Sequence, residues 1–276
     1  MLTGFNPPLN ISEVESLFPN LEFLEVIKPG NEGAVFKCYD KSCYKDVILK
    51  IYGSNRSMRR TELEISKMQI ATSPYLARLV SSGINTVRSL ESYYLTTEFV
   101  NGYNLGDRLK NGEKLTNDEV TRLILNISHA IQALWDAKVV HSDIKPENIM
   151  CSNNGGFILI DLGVAKHLDA EPLTAVNVLC YGTEGYLAPE QYTGRKNLTL
   201  RADFYSLGIT AWQSITGSHP FAYNQALMKQ SVPPLPKGIE ASSELLSAIT
   251  KLANPIAYRR PANWGEISKM LVVGER

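Results

Sequence analysis

The sequence predicts an α+β chain of two lobes, a small β-rich one followed by a larger α-helical one. Three observations carry that prediction. Between Leu21 and Val100, short β-rich runs recur with Gly, Asn, Asp and Ser between them. Beyond Asn101-Gly102, apolar residues fall at helical spacing instead. One later stretch is apolar around most of its circumference, as the central post of a helical lobe must be. A chain of 276 residues is long enough to bury a large core in this way. The organisation expected is an N-terminal extension over 1–20, a small lobe over 21–100 and a large lobe over 101–276, together one domain.

In the extension, Ile11 to Phe18 has the pattern of one or two amphipathic helical turns. The strands expected next are Leu24–Ile27, Ala34–Tyr39, Val47–Tyr52 and Tyr93–Val100, with one helix, Met58 to Ile70, among them. Thr116-x-x-Glu119 is a capping box, and Leu115 with Val120 makes its hydrophobic staple. The helix it starts carries Val120, Leu123, Ile124, Ile127, Ile131 and Leu134 on one face. Ala202 to Ile215 is the apolar post. The connector between the lobes falls near Phe99 to Asn104, and a cleft between two such lobes is a natural ligand site.

Composition excludes several classes. Lys plus Arg and Asp plus Glu both number 28, so no strong field invites nucleic acid or an anionic membrane. No apolar run approaches the ~18 residues of a spanning helix, and Met1 to Asn20 lacks a signal-peptide pattern. Cys38, Cys43, Cys151 and Cys180 form neither a CxxC pair nor a disulfide framework, which points to reduced thiols and a cytoplasmic location. The histidines at 129, 141, 167 and 219 make no i, i+4 metal pair.

Chemistry concentrates in His141-Ser-Asp-Ile-Lys-Pro-Glu-Asn148, a polar loop framed by Val139-Val140 and Ile149-Met150. It offers a carboxylate at Asp143, a cation at Lys145 and an amide at Asn148. These can accept a hydroxyl proton, neutralise a phosphate and present an oxygen to a hard cation, which are the parts phosphoryl transfer needs. An apolar run, Phe157 to Ile160, then delivers a second carboxylate, Asp161, to a turn at Gly163. With Asn148 it could hold Mg²⁺. In the small lobe, Gly30 and Gly33 allow close approach of backbone N–H groups to phosphates, and Lys50 is a cation among apolar strand residues that needs a partner.

Further motifs complete a pattern: Gly182-Thr-Glu-Gly-Tyr-Leu-Ala-Pro-Glu190, Asp203-Phe-Tyr-Ser-Leu-Gly208 and Arg259-Arg260-Pro261. In this order the motifs resemble a eukaryotic-type (Hanks-type) Ser/Thr protein kinase, from about Leu21 to the C-terminus. The resemblance implies a bilobal protein-kinase-like fold. It makes Asp143 the proton acceptor, Lys145 the neutralising cation, and Asn148 and Asp161 the metal ligands. Thr183 steadies the catalytic loop and floors the site for the residue after the acceptor. Asp203 supports the loop backbone, and Glu190 pairs with Arg259 or Arg260. Lys50 holds the α/β-phosphates and pairs with a helix carboxylate, Glu64 being preferred to Glu62, with Met68 on the same helix face packing toward Leu162. Adenine is expected to meet the Glu98 carbonyl and Val100 N–H, with Val35, Ile48 and Met150 around the ring. The implied cofactors are ATP and Mg²⁺, with Mn²⁺ as a substitute, and the implied partner is a protein carrying a Ser or Thr acceptor. The expectation is a free-standing domain that phosphorylates itself as well.

Four departures stand out. Lys28 takes the place of the first phosphate-loop glycine, Ile48 of a usual alanine, Leu162 of a phenylalanine and Ser142 of the arginine beside the catalytic aspartate. Lacking that arginine, the chain is expected not to depend strictly on activation-segment phosphorylation; the candidate acceptors there are Thr174, Tyr181 and Thr183, of which Thr183 is expected to serve structurally instead. Two other classes share part of the pattern. A nucleotide-binding pseudokinase acting as an interaction module is favoured by Lys28, Ile48 and Ser142. A small-molecule phosphotransferase shares both aspartates, but Lys145 and Ala188-Pro-Glu190 argue against it.

Overall fold

The computed structural model describes residues 5, 7–30, 33–53, 65, 69–161, 166–167, 182–192, 198–224 and 226–272. It divides into two compact units, one of residues 1–70 and 77–100, the other of 71–76 and 101–276. The class is α+β, with an antiparallel sheet in the first unit and mainly helices in the second.

The first unit is a five-stranded sheet in the order β1-β2-β3-β5-β4. Its strands are β1 (Leu21–Gly30), β2 (Gly33–Asp40), β3 (Lys45–Tyr52), β4 (Leu79–Val87) and β5 (Leu90–Glu98). Alternation along β3 sends Val47, Leu49 and Ile51 to the core, each fully buried, and Ile48 and Lys50 to the other face. Strand β4 escaped the sequence reading. Its Ser81-Ser-Gly-Ile-Asn-Thr86 is poor in β-formers, and the strand exists because it pairs with β5 along its length. The two-residue hairpin turn between them puts Arg88 (φ 49°) and Ser89 (φ 66°) in the left-handed region, the geometry that matches strand twist.

The N-terminal segment is part of this core. Asn10 and Glu13 form a reciprocal capping box on α1 (Ile11–Val14), and a 3₁₀ turn, Glu15–Leu17, follows. Leu9, Val14 and Phe18 join Phe36, Cys38, Val47, Leu49, Ile51 and Val87 in one cluster. Arg88 clasps the segment from the hairpin, donating to Glu13 Oε1 at 2.8 Å and to the Pro7 carbonyl at 2.7 Å. Of the helix expected over Met58 to Ile70, Ile65, Gln69 and Ile70 are helical and the rest lies outside the described residues.

The second unit opens with β6 (Gly102–Asn104) and α2 (Leu105–Lys110), then α3 (Asn117–Asp136), the short strand β7 (Val139–Val140), β8 (Ile149–Ser152), β9 (Phe157–Leu159) and β10 (Lys166–His167). The helices α4 (Pro189–Tyr192), α5 (Leu200–Thr216), α6 (Ser243–Leu252) and α7 (Trp264–Val272) complete it. At the start of α3, Thr116 Oγ1 accepts from Glu119 N and Glu119 returns the bond to Thr116 N. Leu115 and Val120, the staple pair, are both buried. In α5 every residue from Ala202 to Thr216 is buried, so the helix is a post packed on all sides. The small strands matter because they frame the polar loop: β7 leads in, and β8 leaves as the centre of a three-stranded sheet, β6-β8-β9. No helix among the described residues is long and apolar enough to cross a membrane.

Candidate active site

The loop between β7 and β8 owes its shape to a buried carboxylate. Asp203, in the first turn of α5, accepts from His141 N and Ser142 N, both at 2.7 Å. Those two bonds hold Ser142 in the left-handed region, φ 68°, which a serine adopts only under such constraint. Burial pushes the Asp203 carboxyl up to about 7, against the pull of the two amides. Burial also lowers the basicity of His141, whose Nδ1 accepts from Asp143 N at 3.3 Å.

So held, the loop brings four side chains together. Thr183 Oγ1 donates to Asp143 Oδ1 at 2.7 Å. Lys145 Nζ donates to Thr183 Oγ1 at 2.5 Å and lies 2.9 Å from Asp143 Oδ2. Asn148 Nδ2 donates to Asp143 Oδ2 at 3.0 Å and to the Asp143 carbonyl at 2.8 Å. The carboxylate is thus aimed by three charged or polar donors while remaining an acceptor. Because the Asn148 amide nitrogen is committed to Asp143, its oxygen is the atom it can present elsewhere.

Register brings in the second carboxylate. Ile149 pairs with Leu159 in β8 and β9, and Ile160 N donates to the Asn148 carbonyl at 2.9 Å. Asp161 is next in the chain, exposed, with φ 62°. Its neighbours Leu162 and Gly163 lie outside the described residues. Asn148 and Asp161 supply oxygen donors of the kind a hard divalent cation takes, and too few for an all-protein cage, which suits an ion that keeps water and phosphate ligands.

In the first unit, β-pairing sets Val35 opposite Lys50, Lys37 opposite Ile48, and Ile48 opposite Thr97. Directly paired residues share a face, so Val35, Ile48 and Lys50 form one surface. Lys50 Nζ lies 5.1 Å from the centroid of the Tyr52 ring. Its expected partner Glu64, with Glu62 and Met68, lies outside the described residues. Gly30 and Gly33 face each other at the ends of β1 and β2. A Cβ on Gly33 would collide with the Ile51 carbonyl, so the approach of β3 alone requires a glycine here. Glu98 and Phe99 are held by their amides: Glu98 N donates to the Arg78 carbonyl at 2.9 Å and Phe99 N to the Asp46 carbonyl at 3.2 Å. Lys37, which the sequence reading passed over, bridges Asp46 at 3.0 Å and sits 4.1 Å from the Phe99 ring centroid. Met150, on β8 in the second unit, is half-buried beside Asn104.

Arg260 rather than Arg259 pairs with Glu190, through two bonds of 2.6 and 2.9 Å. It is fully buried, also donating to the carbonyls of Asn254 and Arg201, whereas Arg259 is exposed beside the Tyr258 ring. Nothing in two adjacent arginines distinguishes them before the fold does.

A sheet unit with Val35, Ile48 and Lys50 on one face, and a helical unit holding an aspartate bonded by Lys, Asn and Thr, are the parts expected of a protein kinase domain. The profile of the protein kinase domain matches residues 21–269, and the chain belongs to that family. It is 29% identical over 264 residues to the serine/threonine-protein kinase PknA of Mycobacterium tuberculosis, spanning 91% of this chain and 61% of PknA. To a probable serine/threonine-protein kinase PknB of Lactococcus lactis it is 33% identical over 171 residues, 60% of this chain and 27% of that protein. To PknA of Corynebacterium glutamicum it is 31% identical over 168 residues, 59% and 35%. The chain therefore spans about three-fifths or less of these relatives.

Proposed function

We propose that this chain is an ATP-dependent protein kinase domain that transfers the γ-phosphoryl group to Ser and Thr hydroxyls of proteins, its own included. The observation that carries the reading is the closed set Asp143, Lys145, Asn148 and Thr183 beside Asp161. Asp143 takes the proton of the acceptor hydroxyl, and Thr183 and Asn148 keep its oxygens aimed. Lys145, already within reach of Asp143, offsets charge on the group in transit. Asn148 and Asp161 hold Mg²⁺, which when bound supplies charge neutralisation on the nucleotide phosphates; Mn²⁺ suits the same oxygen donors. Lys50, Gly30 and Gly33 receive phosphates, Glu64 steadies Lys50, and Val35, Ile48, Glu98, Val100 and Met150 receive the adenine. The names of these relatives, serine/threonine-protein kinases, support a Ser/Thr acceptor, as does Lys145 two residues after Asp143. Ser142 brings no charge to the loop, so turnover does not wait for a phosphate on Thr174 or Tyr181, which lie outside the described residues. The thiols of Cys38, Cys43 and Cys151 are free, which supports a cytoplasmic setting.

Radiolabelled ATP with Mg²⁺, offered with a generic protein acceptor, tests this. Wild-type protein labels Ser and Thr, and Asp143→Asn lowers kcat by about 10²–10⁴-fold while leaving the thermal midpoint in place. Nucleotide binding without any transfer would mark a pseudokinase, and transfer to sugar hydroxyls alone a small-molecule enzyme.

A further inference from the structure

The segment Gly182 to Glu190 borders the proposed proton acceptor. Thr183 bonds Asp143 and Lys145 at one end, and Glu190 is locked by Arg260 at the other. The residues between begin one position after Thr183, and so lie close to any peptide whose hydroxyl reaches Asp143. Their middle is pinned by a side chain that the catalytic reading does not use, His219.

His219 is buried, 8% exposed. Its Nδ1 accepts from Phe221 N at 3.2 Å and Tyr223 N at 3.1 Å. A ring nitrogen that accepts carries no proton, so in the neutral ring Nε2 carries it. Nε2 lies 2.9 Å from the Gly185 carbonyl and donates to it. Burial favours that neutral form. The ring stacks on Tyr223, centroids 4.2 Å apart and planes 24° from parallel, and meets the Tyr186 ring edge-on at 5.4 Å. Tyr186 Oη donates to Gln213 Oε1 at 2.6 Å, and Gln213 Nε2 donates to Tyr223 Oη at 3.3 Å. The circuit closes through five residues. Gly185 has φ 95°, and a Cβ there would strike the Tyr223 ring, so the segment lies flush on this aromatic base with its carbonyl turned to His219.

We propose that His219 is a positioning residue for the acceptor peptide: through Gly185 it sets the level of the Glu184–Tyr186 floor beside Asp143. This rests on the kinase reading above and assigns the residue to acceptor binding rather than to nucleotide binding or to the transfer step.

Two isosteric substitutions separate its two nitrogens. His219→Asn keeps an acceptor near the Nδ1 position, preserving the turn to Tyr223, and loses the donor to Gly185. His219→Gln keeps a donor near the Nε2 position. Steady-state transfer to a Ser-containing peptide should show KM for peptide raised about 5–10-fold in His219→Asn, the worth of one hydrogen bond. KM for ATP and kcat should hold, and His219→Gln should lie nearer wild type. Tyr223→Ala, at a half-exposed position, removes the stacking partner without touching the buried ring and should raise peptide KM in the same sense, covering the case in which the histidine variants do not fold. Unchanged peptide KM in His219→Asn and Tyr223→Ala, or parallel rises for peptide and ATP, overturns the assignment while leaving the kinase reading intact. Lack of any Asp143-dependent transfer in wild type overturns both.

Discussion

Arg260 shows how one side chain can hold a segment of chain in place. Its guanidinium is fully buried and meets Glu190 in a two-bond fork, and carbonyls of Arg201, Asn254 and Pro255 take its remaining donors. With every donor committed, removing the cation strands the Glu190 charge rather than merely losing a contact. Arg260→Ala should therefore cost about 3–5 kcal/mol in urea unfolding, and Arg259→Ala, at the surface, less than about 0.5 kcal/mol. Equal effects would contradict the pairing. The loop 141–148 obeys a similar logic: Asp203 is a buried carboxyl that accepts from two of its amides and so fixes its shape. Asp143, Lys145 and Asn148 were legible because they crowd into six consecutive residues, 143–148. His219 and Lys37 were not, since each meets its partners only through folding.

Helix α3 shows which elements local sequence specifies. Thr116 and Glu119 bond reciprocally, and Arg108 reaches Glu119 at 3.2 Å. Thr116→Ala should cost about 1 kcal/mol, measured by denaturant midpoint. Burial alone would raise the Glu119 carboxyl, but the Thr116 backbone N–H and Arg108 outweigh it and hold the group below its ordinary 4.5. A depressed carboxylate stabilises while the unfolded chain is also ionised, so its contribution is full above pH 4.5. It is lost as pH falls through the folded value. The stability gap between wild type and Glu119→Gln should therefore shrink on acidification below that point, and a gap constant into strong acid would refute the assignment. Strand β4 is the opposite case. Its serines, glycine and asparagine carry no β-signal, and its pairing with β5 supplies the reason for it to be extended.

At the scale of the whole chain, Leu9, Val14 and Phe18 belong to the core of the first unit. As sequence they are an extension; in the structure Val14 is fully buried and Phe18 is 6% exposed within the core of the first unit. Phe18 also meets Tyr94 edge-on at 4.9 Å. Phe18→Ala should cost about 3–5 kcal/mol in calorimetric or denaturant unfolding, while a passive tail would tolerate it. The same segment explains why Arg88 accepts a left-handed backbone: its side chain gains Glu13 and the Pro7 carbonyl in return.

Linear patterns carried the α+β class, the long capped helix, the buried post and the clustering of Asp143, Lys145 and Asn148, because periodicity, caps and short polar loops are written over a few adjacent positions. The choice of Arg260 over its neighbour, the seat of Phe18 in the core, the existence of β4 and the hold of His219 on Gly185 came from elsewhere. Strand β4 depends on its pairing across a hairpin to β5, and the other three on contacts between residues tens of positions apart; the free energy of such contacts is set by burial and partner geometry that no local window contains.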